Sequence, residues 1–208
     1  MALLINGLFT GELTPSATVA GCVDIFENAW PNPEETIKLA ESQTADPDSG
    51  AFWQRAETFG GGPFQNARTN RLLNITHSAN VSNNPALQSI HNQFRMLLLA
   101  ASVPYAQRYG IQEPLFHEDY QLLKYTGGEE YRQHYDGGTG VGRAISGLAY
   151  LNSDYEGGEL EFPHHGVKIK PEAGMVILFP SNYAYSHIAH PVTNGTKYAM
   201  VTWIRDRE

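Results

Sequence analysis

The sequence predicts an α+β fold, mainly β: a double-stranded β-helix, or jelly roll, carried on N-terminal helices. Two observations lead there. Beyond Gly110, short runs alternate apolar with polar residues and turn signals return about every ten residues, the spacing of a β sandwich or barrel. Before that point Leu87, Ile90, Phe94, Leu97, Leu98 and Ala101 recur at helical spacing and make one apolar stripe. At 208 residues the chain suits one domain, 1–208, with helices, loops and entry strands over 1–115 and the β core over 116–208. A chain of this length can bury roughly 70% of its unfolded surface.

The elements follow in order. Val23, Ile25 and Phe26 form an apolar run ending at Trp30-Pro31 and read as a strand. Asn32-Pro33-Glu34-Glu35 is a helix start, with Asn as N-cap, Pro at the first helical position and a helix to about Glu41. Thr44 to Gly62 is rich in Asp, Ser, Pro and Gly, which is loop chemistry; its Phe52 and Trp53 would either form a lid over a substrate or pin the loop to the core. Ala67 to Ile75 reads as a strand, and Asn84-Pro85 opens a long helix to Tyr109 with a break or kink at Pro104. Its His91 and Met96 are read as structural. Eight strand candidates come next: Glu118–Tyr125, Glu130–His134, Gly142–Leu151, Glu159–Phe162, Gly166–Lys170, Met175–Phe179, Tyr185–Ala189 and Lys197–Ile204. Such a succession suggests a jelly roll.

Composition excludes some partners. With 14 basic against 22 acidic residues the net charge is −8 and no Lys/Arg cluster occurs, which argues against nucleic acid and anionic membranes. The single cysteine, Cys22, has no internal partner and suits a reducing, cytoplasmic location; its plainest role is a small buried apolar residue. The start, Met1-Ala-Leu-Leu-Ile-Asn-Gly, lacks a basic region, so no secretion signal is expected, and no run approaches a membrane span.

The stretch with most chemistry runs from Gln133 to Trp203. His134 and Asp136 lie two apart, and in an extended segment such residues point the same way and can grip one ion. With one further histidine they would complete two imidazoles and a carboxylate, the donor set that leaves non-haem iron(II) with open positions. Two distal histidines are available, His187 and His190; their opposite parity along a strand means that both cannot point inward. Alternation puts Lys197, Ala199, Val201 and Trp203 on one face. Were that face internal, Lys197 would need an anion, because an unpaired buried charge is costly; at a strand edge it would point to solvent. His164 and His165 follow Pro163 at a turn and read as solvated, while His77 and His117 carry no pattern.

Several ordered motifs over the same region carry a resemblance. They are Tyr125-Thr-Gly-Gly-Glu-Glu-Tyr131-Arg-Gln-His134-Tyr-Asp136, Tyr150-Leu-Asn152, Gly157-Gly-Glu-Leu-Glu-Phe162, Pro171-Glu-Ala-Gly174, His187-Ile-Ala-His-Pro191-Val192 and Gly195-Thr-Lys197 leading to Trp203. From about Tyr125 to Trp203 the chain resembles the catalytic core of prolyl 4-hydroxylase-type oxygenases. Similarity is weaker before Tyr125, although Arg68-Thr-Asn70 sits where the family often has a strand flanking its active site. The resemblance implies iron(II), 2-oxoglutarate as cosubstrate and dioxygen, with ascorbate as a further candidate.

It implies His134, Asp136 and His187 as metal ligands, His187 being chosen because in the family three residues stand between the ligand and a Pro-Val pair. Lys197 would pair with the distal carboxylate of 2-oxoglutarate and Tyr125 would join it. Arg143 resembles a basic residue that touches a peptide substrate, and is equally read as a strand-surface arginine. Tyr131 and Trp203 would line the mouth, and are equally explained as core. The expected reaction is hydroxylation of a prolyl residue in a peptide or protein, with conversion of 2-oxoglutarate to succinate and carbon dioxide. A free amino acid or other small molecule is the alternative substrate, and a jelly-roll binding module without turnover is the alternative of another class.

Overall fold

The first apolar run does form a strand, and it enters the sheet on which the rest is built. A computed structural model of the protein describes residues 3–5, 8–10, 12–56, 67–81, 83–112, 114–138 and 142–206. Strands β1 (Leu3–Ile5) and β2 (Leu8–Thr10) pair with each other, and β3 (Ala17–Val19) with β4 (Val23–Phe26) makes a second hairpin. Helix α1 (Pro33–Ala45) begins at the proline, whose missing N–H would have no partner in a first turn anyway. Asn32 departs from expectation: at φ 49° it is left-handed and its side chain makes no capping bond. The helix also continues past Glu41.

Beyond it come β5 (Gln54–Arg55), β6 (Arg71–Asn74) and α2 (Ile75–Val81). The strand expected up to Ile75 is cut short, because Asn74 Oδ1 accepts the His77 N–H at 2.9 Å and so caps a helix that the sequence reading missed. Helix α3 (Pro85–Tyr109) has both caps its sequence offers. Asn84 Oδ1 accepts from the Ala86 and Leu87 N–H groups at 3.0 and 3.3 Å, and Gly110 closes it with φ 68°. No break occurs at Pro104. The carbonyl that Pro104 cannot reach, Ala100 O, accepts the N–H of Leu13 at 2.9 Å, so the helix continues without an orphaned buried group.

The β core comprises β7 (Phe116–His117), β8 (Gln121–Thr126), β9 (Tyr131–His134), β10 (Arg143–Tyr150), β11 (Glu156–Gly157), β12 (Leu160–Phe162), β13 (Val167–Ile169), β14 (Val176–Pro180), β15 (His187–Ala189), β16 (Val192–Asn194) and β17 (Thr196–Arg205). All eight expected runs contain a strand; β7, β11 and β16 are short additions. Among the described residues a nine-stranded sheet runs β3-β4-β14-β10-β17-β8-β6-β5, with β7 beside β17, and a four-stranded sheet runs β13-β12-β15-β9. Their facing sides share buried residues: Tyr150, Ile177, Phe179 and Ala199 from the large sheet cluster with Leu160, Phe162 and Ile169 from the small one.

The other face of the large sheet carries the helices. Leu122, Ile145, Ala149, Val176, Leu178, Met200 and Ile204 pack with the buried stripe of α3. Gly147 lies at that contact, and a Cβ there would sit 3.0 Å from Leu98 Cδ2. On the same outer face Glu41 accepts hydrogen bonds from Lys124 and from the Tyr198 hydroxyl, both at 2.7 Å, and from the Trp53 indole at 3.4 Å. Trp53 is therefore a pin for its loop. Phe52 stays 62% exposed, and the last part of the Thr44–Gly62 loop, 57–62, lies outside the described residues.

Phe94 has no exposed surface and touches Trp30 and Tyr120 at ring-centroid distances of 5.5 and 5.2 Å. Urea unfolding of Phe94→Ala should show a loss of about 3–5 kcal/mol with an unchanged slope. A loss below about 1 kcal/mol would contradict this view of the core.

Candidate active site

The small sheet brings the two halves of the metal motif together. β9 and β15 are antiparallel neighbours with His134 directly opposite His187, and Asp136 lies just past the end of β9. The His134 Nδ1 is 2.7 Å from Arg132 O and the His187 Nδ1 is 3.1 Å from Tyr185 O. A carbonyl only accepts, so each Nδ1 carries the proton and each Nε2, on the side of Asp136, keeps a lone pair free for a metal. His134 Nε2 is 3.6 Å from Asp136 Oδ1, and His187 Nε2 is 3.8 Å from Asp136 Oδ2.

The protonation states suit a cation. Burial, helped by the neighbouring His187, pushes His134 down to about 3, so its imidazole is neutral at any ordinary pH. Burial would raise Asp136, but the two imidazoles and the Ser146 hydroxyl outweigh it and hold the carboxyl below its usual value. Tyr131 stacks on His134 with centroids 3.3 Å apart, and Phe179 packs against His187 at 4.8 Å, fixing both rings. Adjacent donors on an octahedral ion with bonds of ~2.1 Å lie about 3 Å apart, and one donor atom from each of these three residues lies within 4.8 Å of the others. Two imidazoles and one carboxylate fit iron(II) with open positions.

His190 is excluded from this cluster. Its ring points away and its Nε2 lies 2.6 Å from Glu161 Oε2, which also pairs with Lys168 at 3.1 Å.

Lys197 lies deeper in the same pocket, which encloses about 480 Å³. It is 2% exposed, and its ammonium donates to Gly158 O at 2.5 Å. Around it stand the faces of Tyr125, Tyr150 and Tyr155 at 5.5, 5.0 and 6.0 Å. No carboxylate lies within ion-pair distance among the described residues. Burial, against a weaker opposing pull from Glu159, lowers Lys197 to about 7. Gly158 is required here: its φ is +68°, and a Cβ would fall 2.8 Å from Tyr155 and 3.1 Å from the Lys197 stem. Tyr125 pairs with Lys197 in register, and burial raises its hydroxyl to about 12, keeping it a hydrogen-bond donor. An unpaired buried ammonium beside neutral hydroxyls fits a carboxylate ligand.

Of the residues singled out from sequence, Tyr125, Tyr131, His134, Asp136, His187, Lys197 and Trp203 all line this pocket. Arg143 does not, which corrects the expected substrate contact. Its guanidinium grips Glu118 at 2.9 and 2.6 Å, donates to Asp136 O at 3.1 Å and lies 3.8 Å over the Trp203 ring. A substrate would have to displace Glu118 to reach it. Arg68 was missed as a pocket residue: 7% exposed, it donates from Nε to Asn70 Oδ1 at 3.0 Å and lies 5.1 Å over Tyr131. Its segment was noted as flanking the site, but nothing local foretells which way the side chain turns.

A sequence profile described as the 2OG-Fe(II) oxygenase superfamily matches residues 120–205. That match takes in the β core and covers less than half of the chain. The chain is 32% identical over 120 residues to a probable prolyl 4-hydroxylase of Arabidopsis thaliana, covering 44% of this chain and 42% of that one. It spans less than half the length of the curated relatives it matches first. In fold it resembles a prolyl hydroxylase of Trichoplax adhaerens in complex with a hypoxia-inducible-factor peptide (TM-score 0.71, 19% identity, 90% of this chain and 84% of that one). It also resembles a viral collagen prolyl hydroxylase of Paramecium Bursaria Chlorella virus-1 in its 2OG complex (TM-score 0.59, 20% identity, 89% and 97%).

The state of Lys197 makes cosubstrate affinity pH-dependent. A bound carboxylate favours the ammonium form, so the affinity for 2-oxoglutarate should be flat below pH 7 and weaken by up to about tenfold per unit above it. Calorimetry between pH 6 and 9 with cobalt in place of iron measures this. A pH-independent affinity would contradict the assignment of Lys197.

Proposed function

We propose that the protein is an iron(II)- and 2-oxoglutarate-dependent dioxygenase that hydroxylates prolyl residues in a peptide or protein. One observation carries the reading: a two-histidine, one-carboxylate cluster shares a single pocket with a buried ammonium group that has no acid partner among the described residues. The likeness to prolyl 4-hydroxylases supports the choice of proline.

Iron(II), once bound with 2-oxoglutarate and dioxygen, would supply the oxidising chemistry, by which the cosubstrate leaves as succinate and carbon dioxide and a substrate C–H becomes C–OH. The protein's own contribution is positional. His134, Asp136 and His187 would hold the ion. Lys197 and Tyr125 would hold the far carboxylate of 2-oxoglutarate and so orient the cosubstrate. Tyr131 and Trp203 wall the site and exclude water, and Tyr131 also keeps the His134 ring from turning.

A second reading has support from Arg68. A buried guanidinium in the pocket without a carboxylate partner among the described residues would suit a small substrate that brings its own acid, such as a free amino acid. Succinate release separates the two. Proline-rich peptides should stimulate it and free proline should not; stimulation by free proline alone would replace the peptide assignment. In the same assay His187→Ala should lose at least about a thousandfold in turnover, as expected when the metal is no longer held, while His190→Ala should keep most of it. The reverse pattern would move the ligand to His190.

A further inference from the structure

The oxygen atoms of Asp136 are treated differently by the protein. Ser146, on β10, donates its hydroxyl to Asp136 Oδ2 at 2.6 Å, and its Oγ lies 2.8 Å from that of Ser181, just past β14. Both serines are buried, at 0% and 1% exposure. A hydroxyl has one proton. Since Ser146 gives its own to the carboxylate, Ser181 must be the donor in the second bond, and a two-step relay runs from Ser181 through Ser146 to Asp136. Hydrogen bonds arranged head to tail strengthen one another, and in a water-free setting the effect is larger. The backbone completes the frame: Ser181 O accepts the Gly137 N–H at 2.6 Å, and the Ser181 N–H donates to Ala144 O at 3.1 Å. A Cβ on Gly137 would meet Ser181 O at 2.9 Å, so the chain can pass this close only with glycine after the ligand.

We infer that Ser146 and Ser181 are positioning residues that restrict Asp136 to binding the metal through one oxygen. Oδ2, already accepting a short hydrogen bond, is the poorer metal donor, and Oδ1, 3.6 Å from His134 Nε2, is the better one. This matters for the reaction proposed above, on which the inference rests. A carboxylate that bound through both oxygens would fill a fourth position on a six-coordinate ion, and a chelating cosubstrate together with dioxygen needs three. Neither serine reaches the reacting atoms; both act through Asp136.

Cobalt(II) binding to the full chain tests this without turnover, with affinity read by calorimetry and coordination by visible absorption. Wild-type protein should bind one cobalt. Ser146→Ala should weaken binding 10–100-fold and alter the absorption bands, and Ser146→Thr, which restores the hydroxyl, should stay within about threefold of wild type. Ser181→Ala should weaken binding less, and the double variant should match Ser146→Ala alone, because Ser181 works only through Ser146. A merely structural pair would lower the urea midpoint and leave cobalt affinity and bands untouched. Wild-type affinity in Ser146→Ala, or additive effects of the two substitutions, would overturn the relay. Should Ser146→Ala not fold, an unaltered affinity and spectrum in Ser181→Ala would overturn it equally. A wild-type protein that binds no cobalt would instead remove the metal site itself.

Discussion

The pairing of β9 with β15 is the constraint on which the rest depends. Side chains on a strand alternate between two faces, so a shift of one residue in this ladder would turn His187 outward and His190 inward. Two short strands could not specify that register alone. It is held from both sides: Phe162 and Phe179 pack against His187 in the apolar interior, while His190 is engaged outside by Glu161 on β12. The hydrophobic inside and the charged outside select the same alignment, and the metal ligands follow from it.

The large sheet applies the same alternation on a longer scale. Along β17, Lys197, Ala199, Val201 and Trp203 face the pocket, while Met200 and Ile204 face the helices and Tyr198 reaches Glu41 on α1. One strand thus supplies the floor and wall of the site with one set of side chains and anchors it to α1 and α3 with the other. Helix α3 is the rigid backing, and its unbroken course past Pro104 relies on Leu13 from the N-terminal segment. The support region therefore fixes the position of the site without contributing a metal ligand.

Much of this was legible in the sequence, and for identifiable reasons. The α3 stripe, its Asn84 cap and Gly110 stop, and the eight core strands follow local periodicity and turn chemistry, which a linear reading captures. Of the site, His134, Asp136 and Lys197 could be read because spacing and parity are local, whereas the choice of His187 over His190 needed the family's Pro-Val spacing. What was missed depends on contacts distant in the chain. The partner of Arg143 is Glu118, 25 residues earlier, and the partner of Ser146 is Ser181, 35 residues later. Asn74 as a cap for α2 was missed because a strand and a helix meet there without a loop between them. Asn32 failed as a cap because its backbone takes a left-handed turn before Pro33.

The central claim is that these side chains gather one ferrous ion and one keto-diacid in a single pocket. Anaerobic titration of the folded protein with iron(II) and 2-oxoglutarate tests it most directly, because a chelated 2-oxo acid on iron(II) absorbs weakly in the visible range. The account predicts a band that requires both components, saturates at one iron per chain and is abolished in Asp136→Ala. A protein that is folded by circular dichroism yet develops no such band, or one whose band survives loss of Asp136, would contradict it.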